Sequence, residues 1–379
     1  MDFPRAQANQ MRDADLQASL RQALRGFQRR NSGLALLLIG IDFVAACALA
    51  AMAVAVEAIW LKALFVVASG MVISTLFVLG HDAAHNSLSS SRALNAVLAR
   101  LAFLPSLHNV TLWSIQHNRI HHQAPNVRGL NSWSPLALDE YRQMSAMSRA
   151  AYRLYRSGFG MAPYYLVNRW WRAKFFPRAD VDPDLRRRAW YDFAILVAWS
   201  ILWSAFVVWL GGWSGGSSPI AAVGWGFLGP FLVWNQLMGL TTLLQHTNPA
   251  VAWYRSADEA RDAGGQELRT VHVRCPRWYG LVAHEIMEHP AHHLHPMIPC
   301  YRLRAAQTVL NEILGPAAKT DALSPWSLVA IVRLCKLYDY DRHLWIDFDG
   351  RPTSDIHRRA DAIPEAAPRT TLSMSEGSS

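Results

Sequence analysis

Cysteine is scarce in this chain of 379 residues, with only Cys47, Cys275, Cys300 and Cys335, and no two of them form a CxxC pair. That excludes a disulfide scaffold and a thiolate zinc box, so the four read as unpaired structural thiols in a membrane or a reducing compartment. Charge is also sparse, at 17% of residues against 51% hydrophobic. Two or three ordinary soluble domains do not fit that balance. The net charge of +9 comes without an RNA- or DNA-binding module, and the basic residues are spread along the chain, so nucleic acid is excluded as a partner. Attraction to anionic lipid headgroups accounts for the charge. Between residues 34 and 80, and again between 189 and 244, the only Lys or Arg is Lys62.

Those two basic-poor stretches are almost continuously apolar, and each is long enough for a pair of helices of about 30 Å, the thickness of a bilayer core. We expect spans over 34–55, 59–80, 189–211 and 219–244, the second pair being separated by a Gly- and Ser-rich turn over 211–218. Neither short hairpin loop carries a Lys or Arg, whereas the segments 1–33, 81–188 and 245–379 hold every basic residue but Lys62. The positive-inside rule then places both termini and the long connections in the cytoplasm. The apolar run 94–113 is about as long as a span, but Arg100, Pro105 and His108 point to a re-entrant or surface helix instead.

Fifteen histidines are present, and eight fall into three short boxes on the basic side. His81-Asp82-Ala83-Ala84-His85 is an i, i+4 pair at the end of the second span. His117-Asn118-Arg119-Ile120-His121-His122 puts His117 and His121 on one face if helical, with His122 just off it. His289-Pro290-Ala291-His292-His293 adds i, i+3 and i, i+4 spacings, and Pro290 marks a helix beginning near His289. Scattered solvated histidines would show no such spacing. His246, in Gln245-His246-Thr247-Asn248-Pro249, stands where the fourth span ends and makes a ninth candidate. Nine imidazoles exceed the needs of one ion, so two metals are implied, and imidazole alone suits Zn, Cu, Fe and Ni alike.

A metal pair at the edge of an apolar bundle suits a substrate that is mostly hydrocarbon. Such a substrate offers neither leaving group nor acidic proton, which favours O2 chemistry at redox metals over hydrolysis. Asp82, Glu285 and Glu288 lie beside the boxes, as ligand-tuning carboxylates or as solvated charges. His284 and His295 are left without a role, and Asp42 in the first span reads as a structural polar contact.

The three boxes, in this order and between these spans, resemble the histidine boxes of the membrane fatty-acid desaturase superfamily over roughly residues 35–305, and the segment around His246 is similar to that carrying the family's additional ligand. The resemblance implies an all-α integral membrane protein: four transmembrane helices with a cytoplasmic helical cap carrying a di-metal histidine site. It further implies a non-haem di-iron centre, O2 as co-substrate, and dehydrogenation of an acyl chain held on a lipid or another carrier. The ligands it assigns are His81, His85, His117, His121, His122, His246, His289, His292 and His293. Beginning the third box with His and not Gln departs from front-end desaturases and is closer to acyl-lipid members. Where acyl-CoA members carry an Asn four residues before the additional histidine, this chain has Thr242. Neither a His-Pro-Gly-Gly haem motif nor a GxGxxG fingerprint is present, so the electrons are expected from a separate ferredoxin or rubredoxin with its reductase, drawn to the basic face. A hydroxylase or ketolase on the same scaffold, and a zinc-dependent membrane lipid hydrolase, are the rival readings.

The expected organisation is an interfacial N-terminal helix over 1–32, a desaturase domain over 33–315, a C-terminal cap helix over 316–351 and a disordered tail over 352–379, in a bacterial inner membrane. Residues 135–188, rich in Tyr, Trp and Arg, read as a headgroup-level belt or the mouth for a charged substrate head.

Overall fold

The computed structural model describes residues 15–177, 179–263 and 269–357. Four helices in it are long and apolar enough to cross a membrane: Ser32–Ala55, Ile59–Ala84, Pro183–Ser214 and Pro219–His246. The first starts where the Asn31 side chain accepts a hydrogen bond from Leu34 N at 3.0 Å. The third starts six residues earlier than hydropathy indicated. There the Asp182 carboxylate accepts from the amides of Asp184 and Leu185, and Pro183 occupies the first turn. At 32 residues it is about 48 Å long, so its Arg-rich first turns extend past a 30 Å hydrocarbon layer.

The fourth span is not a uniform helix. Pro230 has no N–H to give the Gly226 carbonyl, and the turn Gly224–Leu228 widens to π geometry, with Gly229 N–H bonding to Gly224 O. The indole of Trp203 on the third span donates to the freed Gly226 carbonyl at 2.9 Å. In an apolar bundle that carbonyl would otherwise lack a partner. The second and fourth spans approach closely at Gly70, where a Cβ would lie 2.5 Å from Val233. Lys62 is buried against the hairpin of the other pair, its Nζ donating to Gly216 O and Ser217 Oγ, both at 2.8 Å.

Residues 94–113 do not cross the bundle: helix Arg92–Phe103 is followed by a break and a short helix, Val110–Ser114. Asp192 on the third span, buried, pins this excursion by accepting from Arg100 Nε at 2.8 Å and Thr111 Oγ1 at 2.6 Å. Part of the aromatic stretch after residue 160 packs on the bundle, while Trp171 and Phe176 stay exposed. Its π-helical run Tyr165–Phe175 lies against the bundle, with Trp170 packed on Phe231, which is about 22 Å along the fourth span from His246.

Above the spans sits a cap. Residues 15–24 are helical, and Leu20 and Leu24 are buried with Leu303 and Leu310 of helix Cys300–Leu314, so the apolar stripe expected to lie on lipid packs against the cap. The single cap helix expected over 316–351 is instead helix Pro325–Leu334 flanked by strands. Thr320–Ala322 pairs in parallel with His272–Arg274, and Leu337–Asp339 pairs antiparallel with Leu344–Ile346. Pro325 and the Ser324 cap fix the start of that ten-residue helix, and Trp345 and Tyr338 supply β-forming bulk to the hairpin. Of the expected tail, residues 358–379 lie outside the described residues.

Candidate metal centre

The second span carries His81 in its last turn and ends at His85, and the fourth ends at His246. Helix His289–Leu294 opens with Pro290 in its first turn and contributes His289, His292 and His293, all buried. All nine candidate histidines converge here, in two clusters. His81, His85, His117, His122 and His292 form one, and His121, His246, His289 and His293 the other, with the ring nitrogens in each within 4.8 Å of one another.

The second box departs from the α-helical expectation. Ile115–His121 is a π-helix, and His122 N–H bonds to His117 O at 3.0 Å, an i→i+5 contact. The wider turn aligns His117 with His122, and releases His121 to the other cluster. In an α-helix, with 3.6 residues per turn, His117 and His121 would have shared a face. The third box divides likewise, His292 going to the five-histidine cluster and His293 to the four-histidine cluster.

The nitrogens meet in a way that calls for a cation. His117 Nε2 is 3.0 Å from His81 Nε2 and 3.1 Å from His122 Nε2, which is 3.0 Å from His292 Nε2. In the other cluster, His289 Nε2 and His246 Nε2 are 2.8 Å apart. On the far side of several rings, an acceptor fixes the tautomer: His81 Nδ1 faces Asp82 Oδ1 at 3.0 Å, His246 Nδ1 faces Asn126 Oδ1 at 3.1 Å, and His121 Nδ1 faces Asn131 Oδ1. With Nδ1 donating its proton outward, each Nε2 turns a lone pair inward. His85 Nε2 and both ring nitrogens of His293 are buried with no hydrogen-bond partner, a costly arrangement that metal ligation relieves.

Burial holds these imidazoles neutral. Desolvation, reinforced by neighbouring histidines, pushes His85, His117, His122, His289, His292 and His293 well below the ordinary imidazole value. His121 falls to about 4, since burial outweighs the hydrogen bond to Asn131 that acts the other way. Neutral imidazoles are the form that binds metal. The residues present therefore fit a pair of metal ions, held by nitrogen donors without thiolate.

Of the three carboxylates considered beside the boxes, Asp82 bonds to a box histidine. Its other oxygen accepts from Cys300 N at 2.5 Å, tying the centre to the cap. Glu285 is engaged by Arg304 through two bonds of 3.0 and 2.9 Å, and Glu288 pairs with His272 at 2.7 Å. His284 contacts Asp42 Oδ2 at 2.8 Å, and Thr75 donates to the same oxygen at 2.8 Å, which gives the first-span carboxylate its partners. His295 meets Gln28 at 2.6 Å, away from both clusters. Asn126 and Asn131 were not found from sequence, because single asparagines in a loop carry no spacing signal. Thr242 spends its hydroxyl on Met238 O at 2.9 Å and accepts from Trp133 Nε1 at 3.1 Å.

Alongside the histidines runs a pocket. Phe77, Val78, Trp113, Met238 and Ile286 make its apolar wall, and His81, His117, His121, His246 and His289 reach it from the metal centre.

Four helices apolar enough to span a membrane, capped by two converging histidine clusters that could each hold a metal ion, define an integral membrane protein. The fatty acid desaturase family pattern matches residues 57–321, more than half of the chain, and the chain belongs to that family. It is 30% identical over 287 residues to the sn-1 oleoyl-lipid 12-desaturase of Picosynechococcus sp., covering 74% of this chain and 77% of that protein. It is 29% identical over 279 residues to the chloroplastic omega-6 fatty acid desaturase of Spinacia oleracea, covering 72% of this chain and 58% of the spinach protein. The corresponding figures for the sn-1 oleoyl-lipid 12-desaturase of Synechocystis sp. are 29% over 280 residues, 72% and 74%.

Proposed function

We propose that this protein is an O2-dependent acyl desaturase that introduces a double bond into a lipid-linked or carrier-linked acyl chain, with His81, His85, His117, His122 and His292 holding one iron and His121, His246, His289 and His293 the other. The observation that carries the reading is the convergence of two all-imidazole clusters on a shared apolar pocket at the ends of the second and fourth spans. The family membership and the acyl-lipid desaturase names of the relatives support it.

A pair of irons with O2 supplies the oxidising power needed to take hydrogen from an unactivated C–C bond. The chain's own residues do the rest. Asp82, Asn126 and Asn131 hold three imidazoles in the tautomer that points Nε2 inward. Phe77, Trp113 and Met238 exclude water and hold an acyl chain in contact with the centre. The electrons come from a separate donor of ferredoxin or rubredoxin type with its reductase, and the histidine face is cytoplasmic in a bacterial inner membrane.

Lipid mass spectrometry on cells expressing the chain tests this, with a His292→Ala control. Loss of two hydrogens from an acyl chain, absent in the control, is expected. Gain of one oxygen would establish a hydroxylase in its place, and purified protein carrying zinc and no iron would sink the oxidative reading.

A further inference from the structure

One wall of the pocket is not apolar. Lys174 and Arg169, both on the π-helical run Tyr165–Phe175, line it, whereas no carboxylate does. Lys174 is only 6% exposed, and its Nζ contacts the Tyr165 hydroxyl at 3.2 Å and sits 5.2 Å from the centre of that ring. Tyr165 OH is in turn 3.3 Å from His108 Nε2, so no anion is reached through it. Arg169 Nε is buried without a hydrogen-bond partner. Among the described residues, neither cation has a carboxylate partner.

A buried ammonium beside a half-buried guanidinium is expensive unless something negative joins them. The metal centre makes the deficit larger, because nine neutral imidazoles compensate none of the charge of the ions they would hold. Burial and the nearby guanidinium push the Lys174 ammonium well below its ordinary value. An arriving anion acts in the opposite direction, so its binding would fix the lysine in the charged form.

We propose that Lys174 and Arg169 form an anion-binding subsite in this pocket and that it takes the anionic group of the acyl substrate, a carboxylate or a phosphate, with the hydrocarbon lying along Phe77, Trp113 and Met238. The subsite rests on the desaturase reading, since it deepens what that pocket accepts. An acyl substrate bearing a neutral head leaves both cations uncompensated and binds less well.

The test is fluorescence titration of the purified, membrane-reconstituted protein with three probes: cis-parinaric acid, its methyl ester, and a phosphatidylglycerol carrying a parinaroyl chain. At least one anionic probe is expected to bind about tenfold or more tightly than the ester. Preference for the acid identifies a free carboxylate as the ligand, and preference for the glycerolipid identifies its phosphate. Arg169→Gln and Lys174→Met should each remove the preference and leave ester binding unchanged; should the buried lysine variant misfold, Arg169→Gln decides alone. Equal binding of all three probes by the wild-type protein, or a parallel loss of ester binding in Arg169→Gln, overturns the subsite. Metal analysis of the same preparations separates the two readings. Discrimination without iron leaves the subsite standing and removes the desaturase assignment, whereas iron without discrimination does the reverse.

Discussion

Asn131 offers the sharpest perturbation, because it touches one cluster and not the other. Its Oδ1 accepts from His121 Nδ1, and its Nδ2 donates to Ala124 O at 2.6 Å and Val127 O at 3.3 Å, so the amide both holds the loop and orients the ring. His121 is the one contribution of the second box to the four-histidine cluster. Asn131→Leu leaves its Nδ1 proton without an acceptor and the ring free to rotate. Loss of such an outer partner weakens metal binding by roughly 10- to 100-fold, or about 1.4 to 2.7 kcal/mol. The five-histidine cluster, with its own anchor at Asp82, should keep its affinity. Titration of the reconstituted variant with a graded series of chelators, read by metal analysis, should therefore show one ion per chain released at lower chelator strength and one retained as in the wild type. Asn131→Asp, which keeps the acceptor, should restore most of the lost affinity. Simultaneous release of both ions from Asn131→Leu, or no change in either, would refute the assignment of His121 to a separate site.

Acid should act on the metal-free protein through the same rings. His121 titrates near 4 in the fold against 6.5 in an unfolded chain, so the unfolded state binds the extra proton between those values. Stability is then lost as pH falls from about 6.5 toward 4, and a thermal-shift series on metal-free protein should show the midpoint dropping across that window and flat above it. In the bundle, Gly70→Val puts a side chain where a Cβ already lies 2.5 Å from Val233, at a cost of about 1–3 kcal/mol. A lowered thermal midpoint checks it, and an unchanged one would mean the second and fourth spans pack less closely than described.

Much of the fold was legible because its signals are one-dimensional. A lack of charge and a length of some twenty residues mark a span wherever they occur, and all four apolar helices lie where hydropathy put them to within a few residues. The third was placed late because its start is set by the Asp182 cap and Pro183, which act upstream of the apolar run. The histidine boxes stood out through spacing, but spacing did not tell which histidine joins which cluster. That depended on a π turn, and Ile115–His121 contains no proline or glycine to announce one. The partner of Asp42 was invisible for another reason. His284 lies 242 positions from Asp42, and a contact over that distance exists only once the cap has closed on the bundle. The C-terminal region misled because its strands are only three residues long and depend on their partners: Thr320–Ala322 pairs with His272–Arg274, far back in the chain, and Leu337–Asp339 with Leu344–Ile346.

The division of neighbouring residues between the two clusters has a mechanical consequence. His121 and His122 lead to different clusters, and so do His292 and His293. Each pair is joined by one peptide bond, with α-carbons about 3.8 Å apart. Two short covalent yokes on separate elements thus clamp the interval between the two histidine clusters. Bending of the bundle or tilting of the cap can carry the two clusters as a unit but cannot pull them apart, so their spacing can survive in a bilayer whose thickness and curvature vary.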